Sequence, residues 1–518
     1  MSNKQFPLAL LAATAALAAN AQEGSRPNIL YIMCDDMGYG DLGCYGQQRI
    51  STPNLDRLAS QGMRFTQAYA GSPVSAPSRA CFMTGQHTGH TYIRANKELR
   101  KGRVMYGQNA DFVISGQEPY DTAHVIIPEI FKEAGYATGM FGKWGGGYNG
   151  SVSTPDKRGV DEFYGYLCQF QAHSYYPNFL DEFVRSRGDT AMVRVELEEN
   201  TKYPMSGPDY EKRPQYSADL IHRRAISWLR QQAKSGKPFL GLFTYTLPHA
   251  ELAQPADSLL EKYSGHLNPE KTFRGDAPSR YHPTNEGHAE FAAMISRLDA
   301  MVGEVMRVLD ETGLAENTVV IFTSDNGPHQ EAGADPDYFN SNGPLRGYKR
   351  STYEGGIRVP FIVRWPGRVK AGTENPHQLA FYDLLPTFCD IAGISGYPAR
   401  FRNPRLGKAD RFDGISFLPT LTGKRRQPKH DFLYWEFPET DMMGVRQGDW
   451  KLVVKRGECR LYNLAEDLGE EHDLAAGKPE IVERMKAVIK REHTPSPVFR
   501  VTLPAGTGEQ SPASEEHK

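Results

Sequence analysis

Residues 28–36 read Asn-Ile-Leu-Tyr-Ile-Met-Cys-Asp-Asp, and the fold follows from them. Asn28–Met33 is apolar at nearly every position and runs into the adjacent carboxylates Asp35 and Asp36. A strand apolar on both alternating sets is a parallel strand covered on both faces, with its polar residues at the carboxyl end. Thr318–Thr323 repeats the design and ends in Ser324-Asp325-Asn326-Gly327. Pro238–Thr246 is a third such run, leading into Leu247-Pro248-His249. Helical patterns lie between them, over Thr122–Ala134, Ala218–Lys234 and Ala289–Thr312. Strands alternating with helices predict an α/β fold with a doubly wound sheet. Such sheets bind ligands outside the carboxyl ends of their strands. Asp35, Asp36, His249, Asp325 and Asn326 are therefore expected at one mouth.

The 518 residues exceed one ordinary domain. A catalytic domain over 26–398 is expected, then an Arg-, Pro- and Gly-rich linker near 399–411. Asp431–Glu436, Met443–Arg446, Trp450–Val454 and Cys459–Asn463 read as strands, and Pro479–Arg491 as a helix with proline at its first position. These predict a smaller C-terminal α+β subdomain over 412–495, an antiparallel sheet plus one helix. Residues 505–518 are polar and read as a disordered tail. Lys4, the apolar stretch 6–18 and Ala19-Asn20-Ala21 form a signal peptide over 1–21, so export is expected. No later segment approaches 18 uninterrupted apolar residues, which argues against a membrane partner. A net charge of −2 argues against nucleic acid. The six cysteines contain no C-x-x-C pair and demand no disulfide framework.

Residues 75–85 read Ser-Ala-Pro-Ser-Arg-Ala-Cys-Phe-Met-Thr-Gly. Pro77 suits the start of a helix over Pro77–Met83, with Ser75 just ahead of it, beside unpaired backbone donors and the positive end of a helix dipole. Arg79 adds a fork that matches tetrahedral oxyanions. Asp35, Asp36, Asp325 and Asn326 supply hard oxygen ligands and no imidazole, which suits Ca²⁺ or Mg²⁺ and disfavours zinc. His249, at a strand's carboxyl end beside proline, is the candidate general acid. His173 in Gln171-Ala172-His173-Ser174 and His329 in Gly327-Pro328-His329-Gln330 are candidate substrate contacts.

The segment from Ser75 to Gly85 matches [C/S]-x-P-x-R-x-x-x-[L/M]-T-G at every defined position. The chain thereby resembles the type I, formylglycine-dependent sulfatases of the alkaline-phosphatase superfamily, in their serine form. Four further segments carry the resemblance: Asp35-Asp36-Met37-Gly38-Tyr39-Gly40-Asp41, Ser324-Asp325-Asn326-Gly327, Gly142-Lys143-Trp144, and Gly347-Tyr348-Lys349-Arg350-Ser351-Thr352-Tyr353-Glu354-Gly355-Gly356. It implies an alkaline-phosphatase-like sheet and one Ca²⁺ held by Asp35, Asp36, Ser75, Asp325 and Asn326, with Asp41 holding the loop. It also implies oxidation of Ser75 to formylglycine by a maturation enzyme of the anaerobic sulfatase-maturing type. One hydroxyl of the aldehyde hydrate then attacks sulfur and the second expels sulfate, while Arg79, Lys143 and Lys349 supply positive charge and His249 the proton.

One position departs from the pattern. The family often reads G-K-W-H, with that His touching the formylglycine hydroxyl, whereas Trp144 is followed here by Gly145-Gly146-Gly147. Lys143 or an imidazole such as His173 is left as the base. The implied substrate is a sulfated carbohydrate. Gly89–Arg94 and Asp335–Asn342 look nearer to the galactose and N-acetylgalactosamine sulfatases, which points to exo-action on a 6-O-sulfated galacto sugar in a Gram-negative periplasm. The rival readings are a phosphatase or phosphonate monoester hydrolase of the same superfamily, and a non-catalytic binder of sulfated glycans.

Overall fold

The computed structural model describes residues 26–99, 116–205, 207, 209–275, 281–396, 402–403, 408–409 and 412–507. The signal peptide expected over 1–21, most of the linker and residues 508–518 of the tail lie outside these. Ten strands form the main sheet: β1 (Asn28–Cys34), β2 (Met63–Phe65), β3 (Ala137–Lys143), β4 (Glu162–Tyr166), β5 (Phe179–Val184), β6 (Val193–Glu196), β7 (Phe239–Thr244), β8 (Thr318–Ser324), β9 (Phe361–Arg364) and β10 (Thr373–Asn375). Their spatial order is β10-β2-β9-β8-β1-β7-β3-β4-β5-β6. The central strands β8, β1, β7, β3 and β4 are parallel. The antiparallel strands β9 and β5 flank them.

The apolar run of β1 divides between two cores. Leu30 and Ile32 join Phe243 and Phe322 on one face, beneath α2 (Ser217–Ser235) and α3 (Gly287–Glu311). Ile29, Tyr31 and Met33 join Leu242 and Ile321 on the other, together with Phe82 of α1 (Ser75–Thr84). Met33 pairs with Thr244 and with Thr323, so the three central strands end level. Beyond them the Asp35 N–H donates to the Leu247 carbonyl at 3.1 Å and the Asp325 N–H to the Cys34 carbonyl at 3.0 Å.

Two helices differ from expectation. The pattern over Thr122–Ala134 is helical only over Ile127–Glu133, because Pro128 belongs in a first turn and so fixes the start. Helix α1 begins at Ser75 itself, with extended Val74 as its cap and Pro77 still inside the first turn.

The C-terminal strands β11 (Leu433–Phe437), β12 (Met442–Gln447), β13 (Trp450–Lys455) and β14 (Glu458–Asn463) form an antiparallel meander. Helix α4 (Pro479–Glu492) lays Met485, Val488 and Ile489 on Val445, Leu452 and Leu461. This unit is bound to the rest of the protein by polar contacts, with Trp435 Nε1 donating to the Ala70 carbonyl at 2.9 Å and Lys451 Nζ to Glu354 at 2.8 Å, and by the packing of Leu433 and Trp435 against Tyr69, Ile357, Ala380 and Tyr382. Of the expected disordered tail, Thr507 is buried and its N–H closes a turn on the Pro504 carbonyl at 3.2 Å. All six cysteines are free thiols. Among the described residues no helix is long and apolar enough to cross a membrane.

Candidate active site

Ser75 opens α1 and points at the end of β1. Its hydroxyl donates to Asp35 Oδ1 at 2.9 Å and accepts from Lys143 Nζ at 3.4 Å. Lys143, the last residue of β3, donates to Asp35 Oδ2 at 2.7 Å. Arg79 stands one turn further along α1. Its Nη2 donates to Asp35 at 3.1 Å and Asp325 at 2.8 Å, and its Nη1 donates to the Lys143 carbonyl at 3.2 Å. All five side chains are buried. Burial alone would raise the Asp35 carboxyl, but Lys143, His249 and Arg79 hold it well below the usual carboxylate range.

The four expected oxygen ligands are linked in one hydrogen-bonded cluster at the ends of β1 and β8, with Arg79 bridging Asp35 and Asp325. Asp36 adopts φ 64°, which aims its N–H at Asp325 Oδ1, 3.1 Å away. Asn326 Nδ2 donates to Asp36 Oδ1 at 2.7 Å, while Asn326 Oδ1 is buried without a hydrogen-bond partner. Burial, and then the Asp35 carboxylate, push Asp325 up to about 7. Crowded carboxylates beside an orphaned carbonyl oxygen call for a cation, and an all-oxygen set fits Ca²⁺. Asp41 is apart from this cage. Its Oδ2 accepts from the Gly38 N–H at 2.7 Å and holds the loop, and burial pushes its carboxyl up to about 7.

Lys349 fills the adjoining place. Its Nζ donates to Asp36 at 2.8 Å and Glu331 at 2.9 Å, and lies 3.1 Å from His249 Nε2. Asp36, His329 and Glu331 come close enough together to hold a cation, and so do Asp35, Asp36 and His249. The Lys349 ammonium already stands among three of them. His249 Nδ1 faces the Ala250 carbonyl, so Nε2 turns towards Lys349. Burial and then Lys349 hold the His249 pKa well below its ordinary value, and the neutral ring accepts a hydrogen bond from the Lys349 ammonium at Nε2.

Ser75, Lys143, His173, His249, Lys349 and Arg350 line one cavity of about 1170 Å³. His173 stacks on His249 with ring centroids 4.7 Å apart. His329 is brought to the back of the site rather than into the cavity: it is buried, with Nε2 3.1 Å from the Pro248 carbonyl and Nδ1 accepting from the Glu331 N–H at 3.2 Å. Sequence reasoning missed Glu331, Arg350 and Gln169. Glu331 lies two residues beyond His329 with nothing local to mark it, and only its meeting with Lys349 gives it meaning. Residue 145 has φ 75°, a conformation that favours glycine, and a Cβ there would lie 2.5 Å from Gln169 Nε2, so the end of the glutamine side chain would have to move aside.

A nucleophile at a helix start, beside an oxygen cage and three buried cationic side chains, is built to hydrolyse an ester of a tetrahedral oxyanion. Comparison with known proteins specifies which. Residues 27–394 match the sulfatase family, and residues 347–494 match the family described as the C-terminal part of N-sulphoglucosamine sulphohydrolase. The N-acetylgalactosamine-6-O-sulfatase of Bacteroides thetaiotaomicron is 29% identical over 519 residues, 92% of this chain and 94% of that protein. The human N-acetylgalactosamine-6-sulfatase is 30% identical, covering 79% of this chain and 68% of that one. The crystal structure of Ps i-CgsB superimposes with a TM-score of 0.70 at 25% identity, over 91% of this chain and 94% of that one. The protein belongs to the sulfatase family and has its alkaline-phosphatase-like fold; it is a hydrolase acting on sulfuric esters.

Proposed function

We propose that the protein removes a 6-O-sulfate from galactose or N-acetylgalactosamine in a glycan, after Ser75 has been oxidised to formylglycine and with one Ca²⁺ at Asp35, Asp36, Asp325, Asn326 and residue 75. The observation that carries this reading is the Ser75 hydroxyl held between Asp35 and Lys143, beside the unpartnered Asn326 oxygen. The modified residue would supply two geminal hydroxyls for attack and release, and the ion would hold sulfate oxygen and screen the carboxylates. Arg79 and Lys143 keep the nucleophile and Asp35 fixed, so positive charge is in place before the reaction begins, and such preorganisation is the main electrostatic resource. The Lys349–His249 pair faces the cavity from the other side and holds the proton that a departing sugar alkoxide requires. Lys143 or His173 takes the proton for sulfate release. The names of the relatives support the galacto sugar. A signal peptide over 1–21 would place the enzyme in the periplasm or outside the cell, after a maturation enzyme of the anaerobic type has acted on Ser75.

Lys349 argues against the phosphatase reading, because its ammonium occupies the place that a second metal would take. Mass spectrometry of the tryptic peptide ending at Arg79 tests the mechanism. Protein made with a serine-competent maturase should carry formylglycine and desulfate a 6-sulfated galacto saccharide, leaving the matching phosphate ester intact. Full sulfatase activity from protein with unmodified Ser75 would refute it.

A further inference from the structure

Arg350 has a left-handed backbone, with φ 70°. Residues carrying a Cβ rarely adopt that conformation, and those that do cluster where the surroundings enforce it, notably at ligand clamps. Two hydrogen bonds enforce it here. The Arg350 N–H donates to the Pro73 carbonyl at 2.8 Å, just before the nucleophile, and its carbonyl accepts at 3.0 Å from Thr440 Oγ1, in the turn between β11 and β12. The consequence is that two consecutive cations, Lys349 and Arg350, enter one cavity and share one carboxylate. Lys349 Nζ donates to Glu331 Oε2 at 2.9 Å and Arg350 Nη1 to Oε1 at 2.6 Å.

Their depths differ. The Lys349 side chain is 4% exposed and reaches Asp36, whereas the Arg350 side chain is 42% exposed and stays at the mouth. Glu439, which follows β11, lines the same cavity, with Oε2 3.6 Å from Arg350 Nε. A guanidinium has five N–H donors, and Glu331 takes one of them at hydrogen-bond distance. Two flanking carboxylates offset the Arg350 charge and repel a second anion. Hydroxyl groups suit the place, because they accept from the guanidinium and donate to the carboxylates.

We propose that Arg350, set between Glu331 and Glu439, reads hydroxyl groups of the sugar that carries the sulfate, and that the C-terminal subdomain thereby takes part in substrate selection. This inference rests on the sulfatase reading above.

The test uses the matured full chain and the variants Arg350→Asn, Arg350→Gly and Glu439→Gln. Asn and Gly suit the left-handed backbone, so the fold survives, and a melting curve confirms it. Each variant is assayed on a monosulfated galacto saccharide and on an activated aryl sulfate without sugar hydroxyls. The Arg350 variants should lose about 10- to 100-fold in kcat/KM on the saccharide, chiefly through KM, and at least about tenfold less on the aryl sulfate. Glu439→Gln should lose less, in the same direction. Equal losses on both substrates, or none on the saccharide, would overturn the proposal. So would an Arg350-dependent preference for a saccharide carrying a second sulfate or a carboxylate. If matured parent enzyme cleaved neither sulfate, the sulfatase reading would fall and take this inference with it.

Discussion

Asp325→Asn is a test of the cation cage in which two signs must come out right. The Asp325 carboxylate is buried and accepts from Arg79 at 2.8 Å and from the Asp36 N–H at 3.1 Å. Burial and Asp35 raise its pKa from 3.8 to about 7. A rise of that size corresponds to about 4 kcal/mol, at about 1.4 kcal/mol per pH unit. The folded-state value lies above the unfolded one. The group therefore favours folding below the unfolded pKa, and that contribution is lost as the pH rises through the folded pKa near 7. At pH 8, in chelator, the ionised carboxylate is a burden that asparagine does not carry. The variant escapes that penalty, of at most about 4 kcal/mol, but its amide NH2 must face either the Arg79 guanidinium or the Asp36 N–H, at about 1–3 kcal/mol, so its stability in chelator should lie close to the parent's or above it. Added Ca²⁺ should reverse the ranking. The parent gains about 2.7 kcal/mol when the ion is at a hundred times its Kd, and the variant, short of one charged ligand, gains little and turns over no substrate. Unfolding curves with and without Ca²⁺, run beside a turnover assay, read both signs. A variant that is less stable in chelator and keeps the full Ca²⁺ response would refute the cage.

Three further outcomes are expected. His249→Ala should cost most on substrates with a basic leaving group, within the roughly 10²- to 10⁴-fold that general acid catalysis contributes, and clearly less on an activated aryl sulfate; an equal cost on both would mean that His249 only binds sulfate. Asp41→Asn should hold or raise the melting temperature at pH 8, because it removes a buried charge penalised above about pH 7, whereas Asp41→Ala strands the Gly38 N–H and costs roughly 1–3 kcal/mol; thermal melts of the two variants separate these effects. Gly145→His, which brings back the imidazole that the family often carries, should destabilise the protein without raising turnover, because of φ 75° and Gln169 at 2.5 Å; adding Gln169→Ala should recover part of the loss, and a stable, more active single variant would contradict the packing described.

Features that depend on neighbours along the chain were legible before the fold was known. Apolar periodicity marked β1, β7 and β8 to within a few residues, and the carboxyl ends of those strands then named Asp35, Asp36, Asp325, Asn326 and His249. The eleven residues from Ser75 carried the nucleophile and Arg79 as one local unit, and the four C-terminal strands were legible as short strand-like runs. Which distant loops share a space depended on the folded path of the chain. Glu331 is one polar residue in a polar loop until Lys349, 18 positions later, folds onto it. Arg350 became a mouth residue only because Pro73 and Thr440, far apart in sequence, clamp its backbone. The glycine after Trp144 read as a gap in the site, yet Gln169 stands in that gap. His329, which shares its loop with the cage, turned out to pack behind His249. Periodicity records which face of an element is buried, and that is local; the meeting of side chains across loops depends on the path of the whole chain, which no short window contains.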